Sequence, residues 1–156
     1  MNSESLLDRF LRYVAIDTTA NESSSTYPSS SGQLELGRLL ANELTAMGLK
    51  EVQHDQHGLV IATIPPTVKH AVPVIALNAH LDTSPETSGA NVKPQVIRDY
   101  RGGDIHLSEN PAKVIRVADN PELEQLHGTT LITTDGTTLL GADDKAGVAI
   151  IMEVAA

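Results

Sequence analysis

The chain has 156 residues, a formal net charge of −9 and no cysteine. This length suffices for one domain with one hydrophobic core, and the acidic balance argues against a nucleic-acid or membrane-surface partner. Because cysteine is absent, disulfides and thiolate metal ligands are excluded, so histidine and carboxylate side chains must hold any metal. No apolar run reaches the ~20 residues of a membrane span and the first residues lack a signal-peptide pattern, so we expect a cytoplasmic location.

Helical and hairpin patterns fill the first third of the chain. Apolar residues at helical spacing predict an amphipathic helix over Ser5–Ile16 and a second helix over Ser30–Met47. The stretch between them, Thr18–Gly32, is rich in Ser and Thr and predicts a loop, either a solvated linker or part of an active-site rim. Leu49–Asp55 and Leu59–Ile64 then predict the two strands of a hairpin.

A short apolar run, Val74–Asn78, is the segment around which we expect the sheet to form. It lacks polar alternation and is bounded by Pro73 and Pro85, which predicts a strand buried on both faces. His80 and Asp82 follow at its carboxyl end, where open α/β sheets bind ligands. Residues i and i+2 of an extended segment point to the same side, so the imidazole and the carboxylate face one site. A carboxylate beside a histidine commonly fixes the ring of a metal ligand.

Proline and glycine dominate the next segment. Ser84–Gln125 contains four prolines and a Gly-Gly pair, which predicts short strands and turns laid over a sheet edge. We expect Asn91–Leu126 to form an accessory layer without central strands, because proline disfavours the interior of a sheet. Asp135-Gly136, flanked by the apolar stretches Leu131–Thr134 and Thr138–Leu140, predicts a second hairpin.

A second candidate motif precedes the last predicted helix, Lys145–Ala156. Asp143 and Asp144 follow Gly141, and two carboxylates at the mouth of a helix suit a cation or a water bound to a cation. The plain alternative for Asp143 is a helix N-cap. The Lys145 side chain either meets a substrate carboxylate or neutralises the neighbouring aspartates.

The remaining polar candidates have ordinary structural interpretations. Five histidines stand in turns or polar stretches and are expected at the surface. These are His54, His57, His70, His106 and His127. The turn Arg101–Asp104 either faces a substrate or is a tight structural turn with an exposed salt bridge.

Two motifs together resemble a known family. His80-Leu81-Asp82 followed by the GADDKAG stretch, Gly141–Gly147, resembles the two N-terminal metal motifs of the M20 metallopeptidases. Three blocks between the motifs resemble the aminotripeptidase branch of that family, namely Asn91–Gln95, Tyr100–Ile105 and Thr133–Leu140. The resemblance runs from about Leu6 to the last residue. It implies an α/β fold with a mixed sheet flanked by helices, in which residues 1–156 form one incomplete part of a zinc-peptidase-like catalytic domain.

The same resemblance implies a reaction and roles for individual residues. The expected reaction is metal-dependent hydrolysis that releases the N-terminal residue of a tripeptide, so small peptides are the expected partners. By resemblance, His80 binds one metal ion of a pair and Asp143 bridges both ions. Asp82 is the expected catalytic residue, which orients and polarises His80. Zinc is the expected metal, and cobalt or manganese are alternatives.

Other functions stay open at this point. Another M20-type hydrolase, such as a carboxypeptidase or a deacylase, shares the metal motifs, although the long segment between Asp82 and Asp143 argues against it. A non-catalytic fragment or binding module is the second alternative. The family's catalytic glutamate has no counterpart, because Glu153, the only glutamate after Asp143, lies in the wrong block. We therefore expect the chain by itself to be inactive, to hold metal weakly and to self-associate, a homodimer being one form.

Overall fold

The computed structural model describes residues 2–156 as three α-helices, six short strands and one 3₁₀ helix. The helices are α1 (Ser3–Val14), α2 (Ser31–Ala46) and α3 (Ala142–Ala155), with the 3₁₀ helix at Pro121–Gln125. The strands are β1 (Lys50–His54), β2 (Val60–Thr63), β3 (Pro94–Ile97), β4 (Ile105–His106), β5 (Val114–Ile115) and β6 (Leu131–Thr134).

The strands of the described residues form three separate two-stranded antiparallel sheets. β1 pairs with β2, β3 pairs with β6, and β4 pairs with β5. An isolated parallel bridge joins Thr19 to Thr83. The predicted α/β class is confirmed, and its strands are distributed over small sheets instead of one continuous sheet.

Both predicted N-terminal helices are confirmed within two residues of their expected ends. The side chain of Asn2 accepts a hydrogen bond from the Glu4 backbone N–H at 3.1 Å, so α1 begins earlier than the capping pattern at Ser5 suggests. Gly48 follows α2 with φ +84°, a left-handed conformation that glycine adopts without strain. The predicted hairpin after it is confirmed as β1 and β2.

The main hydrophobic core lies where the three helices meet. It is formed by buried side chains from each helix, among them Phe10, Tyr13, Val14, Leu36, Leu40, Leu44, Val148, Ala149 and Met152. Burying a side chain of leucine, valine or methionine size contributes roughly 1.5–3 kcal/mol. A smaller cluster around Tyr100, Ile105 and Leu123 lies between β4 and the 3₁₀ helix. The helical core thus holds α3 in place beside α1.

The prediction of a buried strand at Val74–Asn78 is wrong. The segment has no strand structure, and Val74 and Ile75 are 97% and 83% exposed. A strand buried on both faces requires neighbouring strands and a covering layer on each side. In residues 2–156 the two strands that flank this segment along the chain, β2 and β3, pair with β1 and β6 and leave it without a partner. The segment is apolar enough to favour burial, yet it is exposed in the part of the chain that the structure describes.

The hairpin predicted around Asp135-Gly136 is also wrong. Although the turn exists, β6 pairs with β3, and Thr138–Leu140 is not a strand. The Asp135 carboxylate accepts hydrogen bonds from the N–H and hydroxyl of Thr137, at 2.8 Å and 2.6 Å. This side-chain turn leads the chain away from β6 towards α3.

The segment Ser84–Gln125 contains short strands and turns, as predicted, and also the 3₁₀ helix. Pro94 is the first residue of β3, an edge strand in a two-stranded sheet, and Pro111 lies in the turn between β4 and β5. Neither proline stands inside a central strand, because proline lacks the N–H that a central strand must donate.

Four of the five histidines expected at the surface are exposed, and His54 is the exception. Its ring lies against α2 at Gly37, where an added Cβ would come within 2.6 Å of His54 Nε2. His54 stands in β1, which packs on α2, so its partial burial follows from an inter-element contact that the local sequence does not reveal.

Candidate metal centre

His80 and Asp143 meet in space although 63 residues separate them in the chain. Nε2 of His80 lies 3.0 Å from Oδ1 of Asp143. The His80 side chain is half exposed, and the Asp143 side chain is 96% exposed. The pair therefore presents a nitrogen and a carboxylate donor to solvent, which a metal site with open coordination positions requires.

Asp82 holds the other side of the His80 ring. Nδ1 of His80 lies 2.9 Å from the Asp82 carbonyl oxygen and 3.2 Å from the Asp82 carboxylate. With Nδ1 engaged there, Nε2 is directed towards Asp143. A carboxylate on the distal nitrogen of a metal-binding histidine fixes the ring and raises its basicity. The geometry agrees with the orienting role expected of Asp82, and the role itself stays a prediction.

The donor atoms fit a zinc ion. Tetrahedral zinc with bonds of about 2.0–2.2 Å places its ligand atoms roughly 3.3–3.6 Å apart. Nε2 of His80 and Oδ1 of Asp143, now in direct contact at 3.0 Å, would separate by only a few tenths of an ångström to hold an ion between them. Imidazole nitrogen and carboxylate oxygen also suit cobalt and manganese. In the part of the chain from residue 2 to residue 156, no group of three or more histidine and acidic side chains is arranged to hold a metal. The described site consists of His80, Asp143 and the Asp82 carboxylate that lies beside the His80 ring.

The two carboxylates favour the protonated form of His80 when no metal is present. Partial burial of the ring opposes protonation, but the hydrogen bond to Asp143, the bond to the Asp82 backbone and the charges of both carboxylates outweigh it. Together they raise the pKa of His80 above its usual value. A metal ion would compete with a proton for Nε2, so the same negative charge that attracts the proton also attracts a cation.

The two aspartates at the start of α3 make different contacts. Asp143 has non-helical backbone angles (φ −90°, ψ 101°), and the peptide bond to Asp144 is cis. The Asp144 carboxylate accepts a hydrogen bond from the Gly147 N–H at 3.1 Å and so caps the helix. A Cβ at Gly147 would come within 2.3 Å of that carboxylate, which explains the glycine there. Because Asp144 takes the cap position, Asp143 remains free to face His80.

Lys145 does not have either role considered from the sequence. It is only 2% exposed, and its Nζ donates a 2.6 Å hydrogen bond to the Ile16 carbonyl. Burial lowers the pKa of Lys145 to about 8, and the attraction of Asp17 opposes part of that shift. The side chain points into the protein, away from the exposed Asp143 carboxylate, so it neither meets a substrate nor neutralises the neighbouring aspartates.

Part of the first loop is buried, which the sequence did not predict. Thr18, expected in a solvated linker or an active-site rim, is completely buried. The Thr83 N–H donates to the Thr18 carbonyl at 3.2 Å, and the Ala20 N–H donates to the Thr83 carbonyl at 2.9 Å. The only local signal is the pair of β-branched residues Thr18-Thr19, which favours extended backbone. This part of the loop pairs with the chain directly after Asp82, whereas Asn21–Tyr27 is largely exposed, as a linker would be.

The turn Arg101–Asp104 is a structural turn. Gly102 and Gly103 both adopt positive φ, and the Tyr100 hydroxyl donates to the Gly103 carbonyl. The Asp104 carboxylate accepts a hydrogen bond from the Val117 N–H at 2.9 Å. These contacts account for its residues without a substrate.

Comparison with known proteins gives close relatives. Peptidase T of Halothermothrix orenii is 52% identical over 147 residues, and peptidase T of Geobacillus thermodenitrificans is 52% identical over 149 residues. Peptidase T of Desulfitobacterium hafniense is 54% identical over 148 residues. These matches cover 94–96% of this chain. No profile of a known protein family matches it.

This chain is a relative of peptidase T. The similarity to peptidase T, about 50% identity over nearly the whole chain, confirms the family resemblance of the two motifs and the blocks between them. A match over 147 of the 156 residues necessarily includes the stretch from His80 to Asp143. The chain spans about 36% of the length of these peptidase T relatives. None of the helices between residues 2 and 156 is both long enough and apolar enough to cross a lipid bilayer.

Proposed function

We propose that this chain supplies His80 and Asp143 to the metal centre of a peptidase T-type aminopeptidase that removes the N-terminal residue of a tripeptide. The observation that carries the proposal is the 3.0 Å approach of His80 Nε2 to Asp143 Oδ1, in a chain that is about half identical to proteins named peptidase T. Small peptides are the proposed substrates. A complete active site takes two zinc ions in this proposal, with cobalt or manganese as alternatives.

The proposed roles follow from the contacts of each side chain. His80 offers the Nε2 lone pair to one ion, because Nδ1 is engaged by Asp82. The Asp143 side chain is 96% exposed, so its carboxylate would be available to hold both ions. Asp82 holds the His80 ring in one orientation. When bound, zinc would supply a Lewis acid that polarises the peptide carbonyl and activates a water molecule.

The chain is proposed to need additional residues for activity. Catalytic zinc sites use about three protein ligands per ion, and the described pair supplies two donors. We therefore propose that these 156 residues alone hold zinc weakly and do not hydrolyse peptides. A glutamate is the expected general base of the complete site. The cytoplasmic location stays a prediction.

Substitution of the two donors tests the proposal in a full-length protein that contains this chain. His80→Ala and Asp143→Ala should each abolish zinc-dependent hydrolysis of a tripeptide, because each removes a metal ligand. His70→Ala is the matched control, since it removes an exposed imidazole outside the two motifs. Full activity with a normal zinc content in either His80→Ala or Asp143→Ala would refute the assignment.

A further inference from the structure

We propose that Ile16–Ala20, here called the brace, sets the spacing between the two parts of the metal centre, and that Lys145 is the positioning residue that joins the brace to the Asp143 motif. The inference rests on the proposed function and explains how the His80–Asp143 distance is maintained. The two donors come from segments that are far apart in sequence, so something between them must fix their separation.

One end of the brace holds the His80 segment. Thr83 follows Asp82 directly, and its N–H donates to the Thr18 carbonyl at 3.2 Å. The Thr83 carbonyl in turn accepts a bond from the Ala20 N–H at 2.9 Å. Two backbone bonds at one residue form a short parallel bridge, which fixes both the direction and the register of the chain just after Asp82.

The other end of the brace holds the Asp143 segment through a single side chain. Lys145 Nζ donates to the Ile16 carbonyl at 2.6 Å, and Lys145 is 2% exposed. A hydrogen bond from an ammonium group is shorter and stronger than one between neutral groups. Burying a charge costs free energy, and an apolar residue of similar volume is often as stable in such a position. A methionine at position 145 would have a similar volume but could not donate a hydrogen bond to the Ile16 carbonyl.

Neighbouring elements prevent the brace from shifting. A Cβ at Gly32, at the start of α2, would lie 1.7 Å from the Asp17 carbonyl oxygen. A Cβ at Gly89, in the loop after Thr83, would lie 2.7 Å from the Thr19 hydroxyl. Both glycines therefore allow backbone to pack directly against the brace. A segment confined in this way can transmit position from Thr83 to Lys145.

The spacing can be measured without any metal or activity. Because the chain has no cysteine, Thr87→Cys and Ile150→Cys give two unique sites for nitroxide labels, both exposed in the structure. Pulsed electron paramagnetic resonance then measures the distance between the two labels, one in the loop after Thr83 and the other on α3. We expect one narrow distribution for the labelled chain and a broader or displaced one after Lys145→Met. Lys69→Met, at an exposed lysine, is the matched control and should leave the distribution unchanged.

Zinc affinity provides the second measurement, in the full-length protein that contains this chain. Lys145→Met should lower zinc affinity by about 10–100-fold, the usual effect of losing a group that supports a ligand. Unchanged distances would overturn the brace, and so would changed distances with unchanged zinc affinity. If circular dichroism shows that Lys145→Met does not fold, Gly89→Ala replaces it in both measurements. The added Cβ would displace Thr19 and so disturb the brace. The same results would then support or overturn the proposal.

The two proposals fail in different ways. A full-length protein without zinc binding or zinc-dependent peptidase activity would refute the proposed function, whereas the spin-label distances would still show whether Lys145 fixes the geometry. Normal activity and zinc affinity in Lys145→Met, with unchanged distances, would remove the brace and leave the proposed function standing.

Discussion

Glu153 shows how a single residue joins the first helix to the last. Its carboxylate accepts hydrogen bonds from the Asn2 N–H at 3.0 Å, the Ser5 hydroxyl at 2.8 Å and the Arg9 side chain at 3.2 Å. The bonds from Asn2, Ser5 and Arg9 favour the ionised form and lower the pKa of Glu153, although burial opposes them. The residue excluded as the catalytic glutamate thus has a structural role, which is to hold α3 against α1.

The pKa of Glu153 predicts a pH-dependent contribution to stability. A carboxylate whose pKa is lower in the folded state stabilises the protein fully above its unfolded value of about 4.3, and this contribution is lost as the pH falls through the folded pKa. Glu153→Gln should therefore lower the melting temperature at pH 7, and its difference from the parent chain should shrink below about pH 4. Calorimetry from pH 3 to pH 7, with the exposed Glu22→Gln as control, measures this. A difference that does not depend on pH would contradict the assigned role.

Asp82 gives a second prediction at the residue scale. Asp82→Asn keeps the shape of the side chain but weakens its hold on His80 Nδ1, so it should affect turnover more than zinc content. A loss of about 10–100-fold in kcat is expected, with near-normal zinc content, in the full-length protein that contains this chain. Asp119→Asn, at an exposed aspartate, is the control. If zinc content falls in parallel with kcat, Asp82 is a ligand and not an orienting group.

At the scale of elements, the start of α2 is limited by its contact with the brace. Any side chain at Gly32 would overlap the Asp17 carbonyl, so either the helix or the brace must move to accept one. Gly32→Ala should therefore reduce the free energy of unfolding by roughly 1–3 kcal/mol, the usual cost of overpacking. Urea denaturation measures this, with Ser31→Ala, at the neighbouring position, as the control. Equal unfolding midpoints for Gly32→Ala and the parent chain would show that the contact is not restrictive.

Elements defined by local patterns were predictable from the sequence. The helices α1 and α2 follow from apolar spacing, and the β1–β2 hairpin follows from two strands close together in the chain. Strand pairing over a long distance was not predictable, because β6 pairs with β3, whose residues lie 34–40 positions earlier in the chain, instead of with the adjacent stretch. The prediction for Val74–Asn78 was wrong for a related reason, since apolar composition cannot show whether a neighbouring strand is available.

The candidate site was predictable only in part. His80, Asp82 and Asp143 were candidates from their positions in the sequence, a family resemblance assigned their roles, and their convergence is what the structure adds. The burial of Lys145 was not predictable, because a lysine beside two aspartates is usually exposed and paired with them. The Ile16–Ala20 brace was also missed, since hydrogen bonds between backbone groups of distant segments leave no mark in the side-chain sequence.

For the whole molecule, the exposed apolar segment at Val74–Asn78 predicts self-association. Val74, Ile75 and Leu77 are all more than half exposed, and the segment lies outside every strand of the described residues. Exposed apolar surface next to unpaired backbone favours contact with a second chain. Ile75→Lys should shift the chain towards monomer, measured by sedimentation over a range of concentrations. Val68→Lys, at a less exposed apolar position, is the control. A parent chain that is monomeric at every concentration would contradict this prediction.

The central claim for the whole molecule is that His80 and Asp143, from separate parts of the chain, hold the same metal ion. The most direct measurement is a zinc titration of the ¹⁵N-labelled chain that follows the ring nitrogens of its six histidines. The expected result is a zinc-dependent shift of Nε2 in His80, absent from the other five rings and lost in Asp143→Ala. No shift at His80 Nε2, or an equally strong shift in Asp143→Ala, would contradict it.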